Sequence, residues 1–123
     1  MKILIAEDED VLLRVLQEKL ENENFKVDVA LDGESALSMI KRVKPDMILL
    51  DLVLPKVAGL DVLYFLKEDS ELKNIPVIVL SNLSDSEDIN KALGMGAVDY
   101  LIKTQHPINE VIEKVNKYIL KSR

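Results

Sequence analysis

Residues 47–51 have the sequence Met-Ile-Leu-Leu-Asp, in which four consecutive apolar side chains end at a carboxylate. A short apolar run entered after Pro45 is typical of a strand that is buried on both faces of a parallel sheet. Residues 3–6 and 77–80 have the same apolar character and predict two more buried strands. A polar residue directly follows each of the three runs, which indicates that polar side chains collect where these strands end.

Helical stripes alternate with the strands along the chain. Phe25, Val27 and Val29 alternate with polar residues, as in a half-exposed strand, and residues 98–102 predict a fifth strand. After each strand, apolar residues recur at the spacing of an amphipathic helix. The five stripes fall within residues 12–20, 36–43, 60–66, 89–93 and 108–119.

Five strand–helix repeats predict an α/β fold, a doubly wound five-stranded parallel sheet with helices on both faces. Lys26 and Asp28 in the second strand and Asp99 in the fifth mark these strands as edges, because central strands are apolar throughout. The expected strand order is therefore 2-1-3-4-5. No linker interrupts the chain, so residues 1–123 are expected to form one domain, with no second domain.

The composition excludes several classes of function. The 123 residues include no cysteine and one histidine, which excludes disulfides, a cysteine nucleophile and a histidine zinc cluster. Sixteen basic against twenty-two acidic residues give a formal net charge of −6, which disfavours binding of nucleic acid by this chain alone. The apolar start is too short for a signal peptide or a membrane span, so we expect a cytoplasmic location.

Ligands of doubly wound sheets bind beyond the carboxyl ends of the strands, where the strand order reverses. In this chain that point lies between strands one and three. The residues expected there are the acidic run Glu7-Asp8-Glu9-Asp10 after strand one, Asp51 after strand three, Ser81 from strand four and Lys103 from strand five. Side chains from four strands are thus expected to converge on one edge of the sheet.

The acidic side chains at this edge need a counter-charge. Carboxylates within a few ångströms of one another repel unless a cation intervenes. Lys103 alone cannot balance Glu7, Asp8 and Asp51. Mg²⁺ prefers oxygen ligands, keeps several waters and takes one or two carboxylates together with a phosphate. The cluster therefore predicts a magnesium site with a spare carboxylate.

Taken singly, each of these residues has an ordinary interpretation as a helix cap, a loop or turn residue, or a solvated cation. Asp8 or Asp10 is expected to cap the first helix. Tyr100 would pack at a strand edge with its hydroxyl in water, and His106 would lie at the surface in a polar loop. The functional interpretation of the others is favoured because they share one edge of the predicted sheet.

Several motifs together resemble the receiver domain of two-component response regulators. They are the Glu7-Asp8 pair, Asp51 within Leu-Asp-Leu-Val-Leu-Pro, Ser81, and the segment 96–103 that ends at Lys103. The similarity covers essentially the whole chain. It implies a flavodoxin-like fold and a signalling switch of a two-component system or phosphorelay, with a downstream output protein or domain.

The resemblance also implies the chemistry of the acidic cluster. Asp51 would accept a phosphoryl group from a histidine kinase or a histidine phosphotransfer domain. Asp8, Asp51 and the backbone carbonyl of Val53 would hold Mg²⁺, and Glu7 would contribute through a metal-bound water. Such a transfer needs positioning and charge neutralisation more than covalent machinery.

Three further residues would carry the response to phosphorylation, again by resemblance. Lys103 would pair with Asp51 and then with the phosphoryl oxygens, and Ser81 would hydrogen-bond to the phosphoryl group. Tyr100 would swing inward behind Ser81. The population of conformations would then shift across the face built from helix four, strand five and helix five.

The sequence departs from the family pattern near the site. Thr104 follows the lysine where the family commonly has a proline, often with a cis bond, so we expect a trans bond there. Serine replaces the commoner threonine at position 81. Val53 and Leu83 would flank the path of a hydrolytic water and cannot orient it, which predicts slow loss of the phosphoryl group.

Three functions compete on the sequence alone. The leading one is a phosphoaccepting switch that is not an enzyme and assists only its own phosphorylation and slow dephosphorylation. A small magnesium-dependent phosphatase is disfavoured, because Val53 stands where such an enzyme has a second aspartate. An interaction module that is never phosphorylated is disfavoured by the complete set of acidic residues, Ser81 and Lys103.

Overall fold

The apolar runs form strands and the amphipathic stripes form helices in a computed structural model that describes residues 1–121. The five strands are β1 (Lys2–Ala6), β2 (Lys26–Ala30), β3 (Met47–Leu50), β4 (Val77–Ser81) and β5 (Asp99–Ile102). The five helices are α1 (Asp10–Asn22), α2 (Gly33–Val43), α3 (Gly59–Glu68), α4 (Ser86–Gly94) and α5 (Ile108–Lys121). The predicted alternation of strands and helices is confirmed.

All strand pairs are parallel, and the sheet order is β2-β1-β3-β4-β5. The predicted order and both predicted edge strands are confirmed. Ala6 lies opposite Leu50, and Leu50 lies opposite Val79, so β1, β3 and β4 end side by side. The carboxyl ends of the central strands therefore meet at one edge. That residues 1–123 form a single domain stays a prediction.

The sheet separates two apolar clusters because side chains alternate between its faces. In β1, Ile3 and Ile5 pack with α1 and α5, whereas Leu4 and Ala6 pack with α2 and α3 on the other face. Both faces of β1, β3 and β4 are buried, which explains why these strands are apolar throughout. None of the helices within residues 1–121 combines the length and the apolar character needed to cross a membrane.

The start of α1 differs from the sequence prediction. Its N-cap is Glu9, whose side chain makes no capping hydrogen bond, so the expected cap by Asp8 or Asp10 is wrong. Asp10 lies in the first helical turn and pairs with Arg14 at 2.6 Å. The backbone N–H of Glu9 is instead bound by the carboxylate of Glu7 at 2.9 Å. Within the acidic run, Asp10 thus makes an ion pair inside α1, whereas Glu7 binds the backbone where the helix begins.

Gly59 lets α3 begin in close contact with the loop that follows β3. Its N–H donates to the Leu52 carbonyl at 2.9 Å. A Cβ at this position would lie 2.2 Å from the Asp51 carbonyl oxygen and 2.5 Å from Leu52 Cα. Both neighbours are backbone atoms and cannot rotate away. A side chain here would therefore move the backbone of Asp51.

We expect Gly59→Ala to lower the free energy of unfolding by about 2 kcal/mol, the usual cost of overpacking. Gly94→Ala is the matched control, because a Cβ at this helical glycine meets no atom within 4 Å. The control should be neutral or stabilise by about 0.5 kcal/mol. Urea denaturation measures both values, and equal effects of the two substitutions would contradict the role of Gly59.

Candidate functional site

Hydrogen bonds of the sheet continue one residue beyond three strands. The N–H of Asp51 donates to the Ala6 carbonyl at 3.0 Å, and the N–H of Lys103 donates to the Ser81 carbonyl at 2.9 Å. The N–H of Glu7 donates to the carbonyl at the end of β2, also at 3.0 Å. The sheet therefore holds the backbone N–H groups of Glu7, Asp51 and Lys103, although all three residues lie just outside its strands.

The ammonium of Lys103 lies among three carboxylates. Its Nζ is 2.7 Å from Glu7 Oε1, 2.9 Å from Asp51 Oδ2 and 3.3 Å from Glu9 Oε2. Glu7 and Asp51 are 2% and 5% exposed, so these two pairs are shielded from water, whereas Glu9 is exposed. The predicted pairing of Lys103 with Asp51 is confirmed. The contact with Glu9 was not predicted, because the sequence placed Glu9 in the acidic run without a partner.

Burial and close pairing shift the pKa values of Glu7 and Lys103. Desolvation raises the pKa of Glu7 above its usual value, although the hydrogen bonds from Lys103 and from the Glu9 amide act in the opposite direction. Desolvation also acts to lower the pKa of Lys103, but its hydrogen bonds to Glu7 and Asp51 prevail and raise it. Lys103 therefore stays charged, and the cluster keeps an excess of carboxylates over cations.

Three of these carboxylates could hold a metal ion together. Glu7, Asp8 and Asp51 each place an oxygen within 4.8 Å of the others, and Asp8 is exposed. A hard cation such as Mg²⁺ takes one or two carboxylates and keeps waters, so an open side of this kind fits its chemistry. Glu7 and Asp51 already pair with the ammonium of Lys103. Of the three candidate metal ligands, Asp8 is thus the one whose carboxylate does not pair with Lys103.

Ser81 and Tyr100 both contact the backbone of Leu83 in the loop between β4 and α4. The N–H of Leu83 donates to Ser81 Oγ at 3.3 Å, and Tyr100 Oη donates to the Leu83 carbonyl at 2.6 Å. Ser81 is fully buried and Tyr100 is 7% exposed. The expectation of a hydroxyl in water is therefore wrong, and burial raises the pKa of Tyr100. Tyr100 already points inward in this structure.

Val53 and Leu83, each two residues beyond Asp51 or Ser81, present apolar side chains to water. The N–H of Val53 donates to Asp51 Oδ1 at 3.1 Å, while the Val53 side chain is 58% exposed. Leu83 is 37% exposed. These exposed apolar groups agree with the expectation that no side chain at these two positions orients water. A metal-binding role of the Val53 carbonyl stays a prediction.

The loop after β5 contains a contact that the sequence did not indicate. His106 was expected to lie at the surface, but it is half-buried and its Nδ1 accepts the N–H of Ile102 at 2.9 Å. A histidine four residues after a strand end carries no periodic signal, so only the folded loop shows this bond. The trans peptide expected before Thr104 is confirmed, since no cis bond is present in the described residues.

The sequence profile of the response regulator receiver domain matches residues 3–116. The chain belongs to this family. It is 38% identical to the response regulator PleD of Caulobacter vibrioides, and the alignment covers 90% of this chain and 24% of PleD. It is 35% identical to the DNA-binding response regulator MtrA of Mycolicibacterium smegmatis, with 93% of this chain and 48% of MtrA covered. The receiver domain thus spans less than half the length of either relative.

Solved structures lead to the same family. The receiver domain of the Francisella response regulator 1452 is 32% identical, with a TM-score of 0.91 and coverage of 99% of this chain and 98% of that one. The phosphorylated cyanobacterial phytochrome response regulator RcpA is 30% identical, with a TM-score of 0.87 and coverage of 99% and 95%. The predicted family and the flavodoxin-like receiver fold are confirmed. The chain is a phosphoaccepting signalling switch of a two-component system.

The raised pKa of Glu7 leads to a prediction about stability in the absence of divalent cations. We expect Glu7→Gln to raise the free energy of unfolding at pH 7 by on the order of 1 kcal/mol, because the buried charge is removed while Lys103 keeps Asp51. A raised pKa means that the folded wild type takes up a proton more readily than the unfolded chain. The wild type therefore gains stability as the pH falls, and the difference in unfolding free energy between Glu7→Gln and the wild type should shrink towards pH 4.

Urea denaturation in EDTA at several pH values measures this difference. Glu18→Gln is the matched control, because it removes the same charge from an exposed position on α1. A Glu7→Gln variant that is less stable than the wild type at pH 7 would show that the ion pair outweighs the cost of burial.

Proposed function

We propose that Asp51 takes a phosphoryl group from a histidine kinase or histidine phosphotransfer protein in a magnesium-dependent reaction. The observation that carries this proposal is the position of the Asp51 carboxylate. It lies 2.9 Å from a buried ammonium, and its oxygens are within reach of two further carboxylates. This arrangement supplies a nucleophile, a fixed cation and a set of oxygen ligands at one point.

The proposed transfer balances as follows. A carboxylate oxygen of Asp51 attacks phosphorus, a bond from oxygen to phosphorus forms, and the bond from phosphorus to the donor nitrogen breaks. The donor imidazole leaves with the electron pair of that bond. Asp8 and Asp51, with the Val53 carbonyl and with Glu7 through a water, would hold Mg²⁺, which would supply positive charge against the phosphoryl oxygens. Lys103 stays protonated and pairs with a phosphoryl oxygen, which requires only a small movement from Asp51.

The contacts of Leu83 support a route from the site to the surface. Ser81 accepts the Leu83 N–H and its side chain also hydrogen-bonds to Tyr100, so turning the Ser81 hydroxyl to donate to a phosphoryl oxygen would alter both contacts. Rotation of Ser81 towards that oxygen would disturb the Leu83 backbone, to which Tyr100 of β5 is bound. We propose that phosphorylation in this way shifts the face of α4, β5 and α5, and that this face controls an output protein or domain.

Several other parts of the proposal follow from the same residues. We infer that the chain is not an enzyme and assists only its own phosphorylation and slow dephosphorylation, because Val53 supplies no acid or base beside Asp51. We propose that it binds no nucleic acid and no membrane by itself, in line with its net charge of −6. The cytoplasmic location stays a prediction.

Acetyl phosphate with Mg²⁺ tests the central step. We expect the wild type to gain the mass of one phosphoryl group, and Asp51→Asn or addition of EDTA to abolish the gain. Asp61→Asn is the matched control, because Asp61 is an exposed aspartate on α3. Intact mass measures the gain, and amide chemical shifts locate the surface that changes. A wild type that stays unmodified, or that hydrolyses a generic phosphomonoester with turnover, would overturn the proposal.

The lifetime of the phosphorylated state gives a separate prediction. We expect Val53→Asn to accelerate loss of the phosphoryl group roughly tenfold, which equals about 1.4 kcal/mol in activation free energy, because an amide can orient the attacking water. Val11→Asn controls for the change of side chain, since Val11 is also exposed but lies on α1. The decay is followed by intact mass after removal of the donor. Unchanged decay in Val53→Asn would contradict the role of Val53.

A further inference from the structure

The backbone of Ile102 faces away from the sheet just before Lys103. Lys103 directs its N–H to β4, and successive residues of a strand direct their amides to opposite sides. Because β5 is an edge strand, no neighbouring strand can receive the N–H of Ile102. An unpaired amide next to a functional residue would leave the end of the strand free to change its direction.

His106 supplies the missing acceptor. Its Nδ1 lies 2.9 Å from the amide nitrogen of Ile102 and 3.1 Å from the Ile102 carbonyl oxygen. In the neutral tautomer with the proton on Nε2, Nδ1 accepts the Ile102 N–H. The Ile102 carbonyl accepts in turn from the N–H groups of Gln105 and His106 at 2.9 and 3.0 Å. Both polar groups of one residue are thus satisfied by the loop that follows it. These bonds close a tight loop around Lys103.

His106 and Lys103 line the same cavity. The cavity has a volume of about 220 Å³ and is also lined by aliphatic residues from α1, β4 and α5. Leu12, Leu80, Ile108 and Val111 are among these residues. These four side chains have no hydrogen-bonding group. If the imidazole were removed, none of them could replace it as the acceptor of the Ile102 N–H.

The position of the loop matters because Lys103 has three carboxylates within reach. Its distances to Glu7, Asp51 and Glu9 differ by only 0.6 Å, from 2.7 to 3.3 Å. Attraction alone therefore does not select Asp51, which leaves a role for the loop that continues from the Lys103 N–H. We propose that His106 is a positioning residue that holds Lys103 against Asp51 by binding the Ile102 amide. This inference rests on the proposed phosphorylation of Asp51.

Substitutions of His106 separate its hydrogen bond from its bulk. Asn places an acceptor oxygen where Nδ1 stands, Gln places its amide farther out, and Leu has no acceptor. We expect His106→Leu and His106→Gln to slow phosphorylation by acetyl phosphate about tenfold, as small misplacement of a catalytic group does. His106→Asn should restore most of the rate. Mg²⁺ affinity should stay unchanged in all three variants, because no proposed ligand is altered.

Hydrogen exchange of the Ile102 amide adds a readout that does not depend on activity. Protection should be lost in His106→Leu and kept in His106→Asn. Equal phosphorylation rates for the wild type and His106→Leu would overturn the inference. So would a His106→Asn variant that is phosphorylated as slowly as the Leu and Gln variants. If the Leu variant does not fold, the comparison of Asn with Gln decides. A wild type that gains no phosphoryl group overturns the proposed function instead, which distinguishes the two failures.

Discussion

The buried contact between one ammonium and two carboxylates is the interaction on which the organisation of the site depends. Removing charges from water is costly, and only close pairing offsets that cost. Lys103 makes two such contacts at 2.7 and 2.9 Å with side chains that are almost fully buried. Because the three groups come from β1, β3 and β5, the cost is met only when the parallel sheet is complete. The site is therefore a property of the whole sheet and of no single loop.

The loops around the sheet add constraints of a different kind. Gly59 allows the chain after Asp51 to pass within van der Waals distance of α3, and Leu83 is held at its backbone N–H by Ser81 and at its carbonyl by Tyr100. Each loop is thus tied to the sheet by backbone contacts close to the residue it serves. The acidic side chains of Asp8 and Glu9, in contrast, are exposed to water. The site thus has a buried part, in which Glu7 and Asp51 pair with Lys103, and an exposed acidic part.

The features that could be predicted from the sequence are those with a periodic or topological cause. Apolar runs identified β1, β3 and β4, and polar residues in the other two strands identified the edges. Because parallel strands end on the same side, the meeting of Glu7, Asp51 and Lys103 followed from the strand order. The cap of α1, the bond of the Tyr100 hydroxyl to the Leu83 carbonyl and the bond between His106 and Ile102 were missed. Each depends on the path of a short loop, which leaves no period in the sequence and is decided by individual hydrogen bonds.

The alternation of side chains in β1 has a consequence for how this chain can diversify. Ile3 and Ile5 belong to the cluster beneath α1 and α5, whereas Leu4 and Ala6 belong to the cluster beneath α2 and α3. The sheet separates two interiors that are built from different side chains, and substitutions at distant sites without shared contacts are close to additive. One interior can thus be remodelled for a new partner while the other keeps its packing. The acidic residues at the carboxyl edge of the sheet belong to neither interior, so remodelling one interior would leave them unchanged.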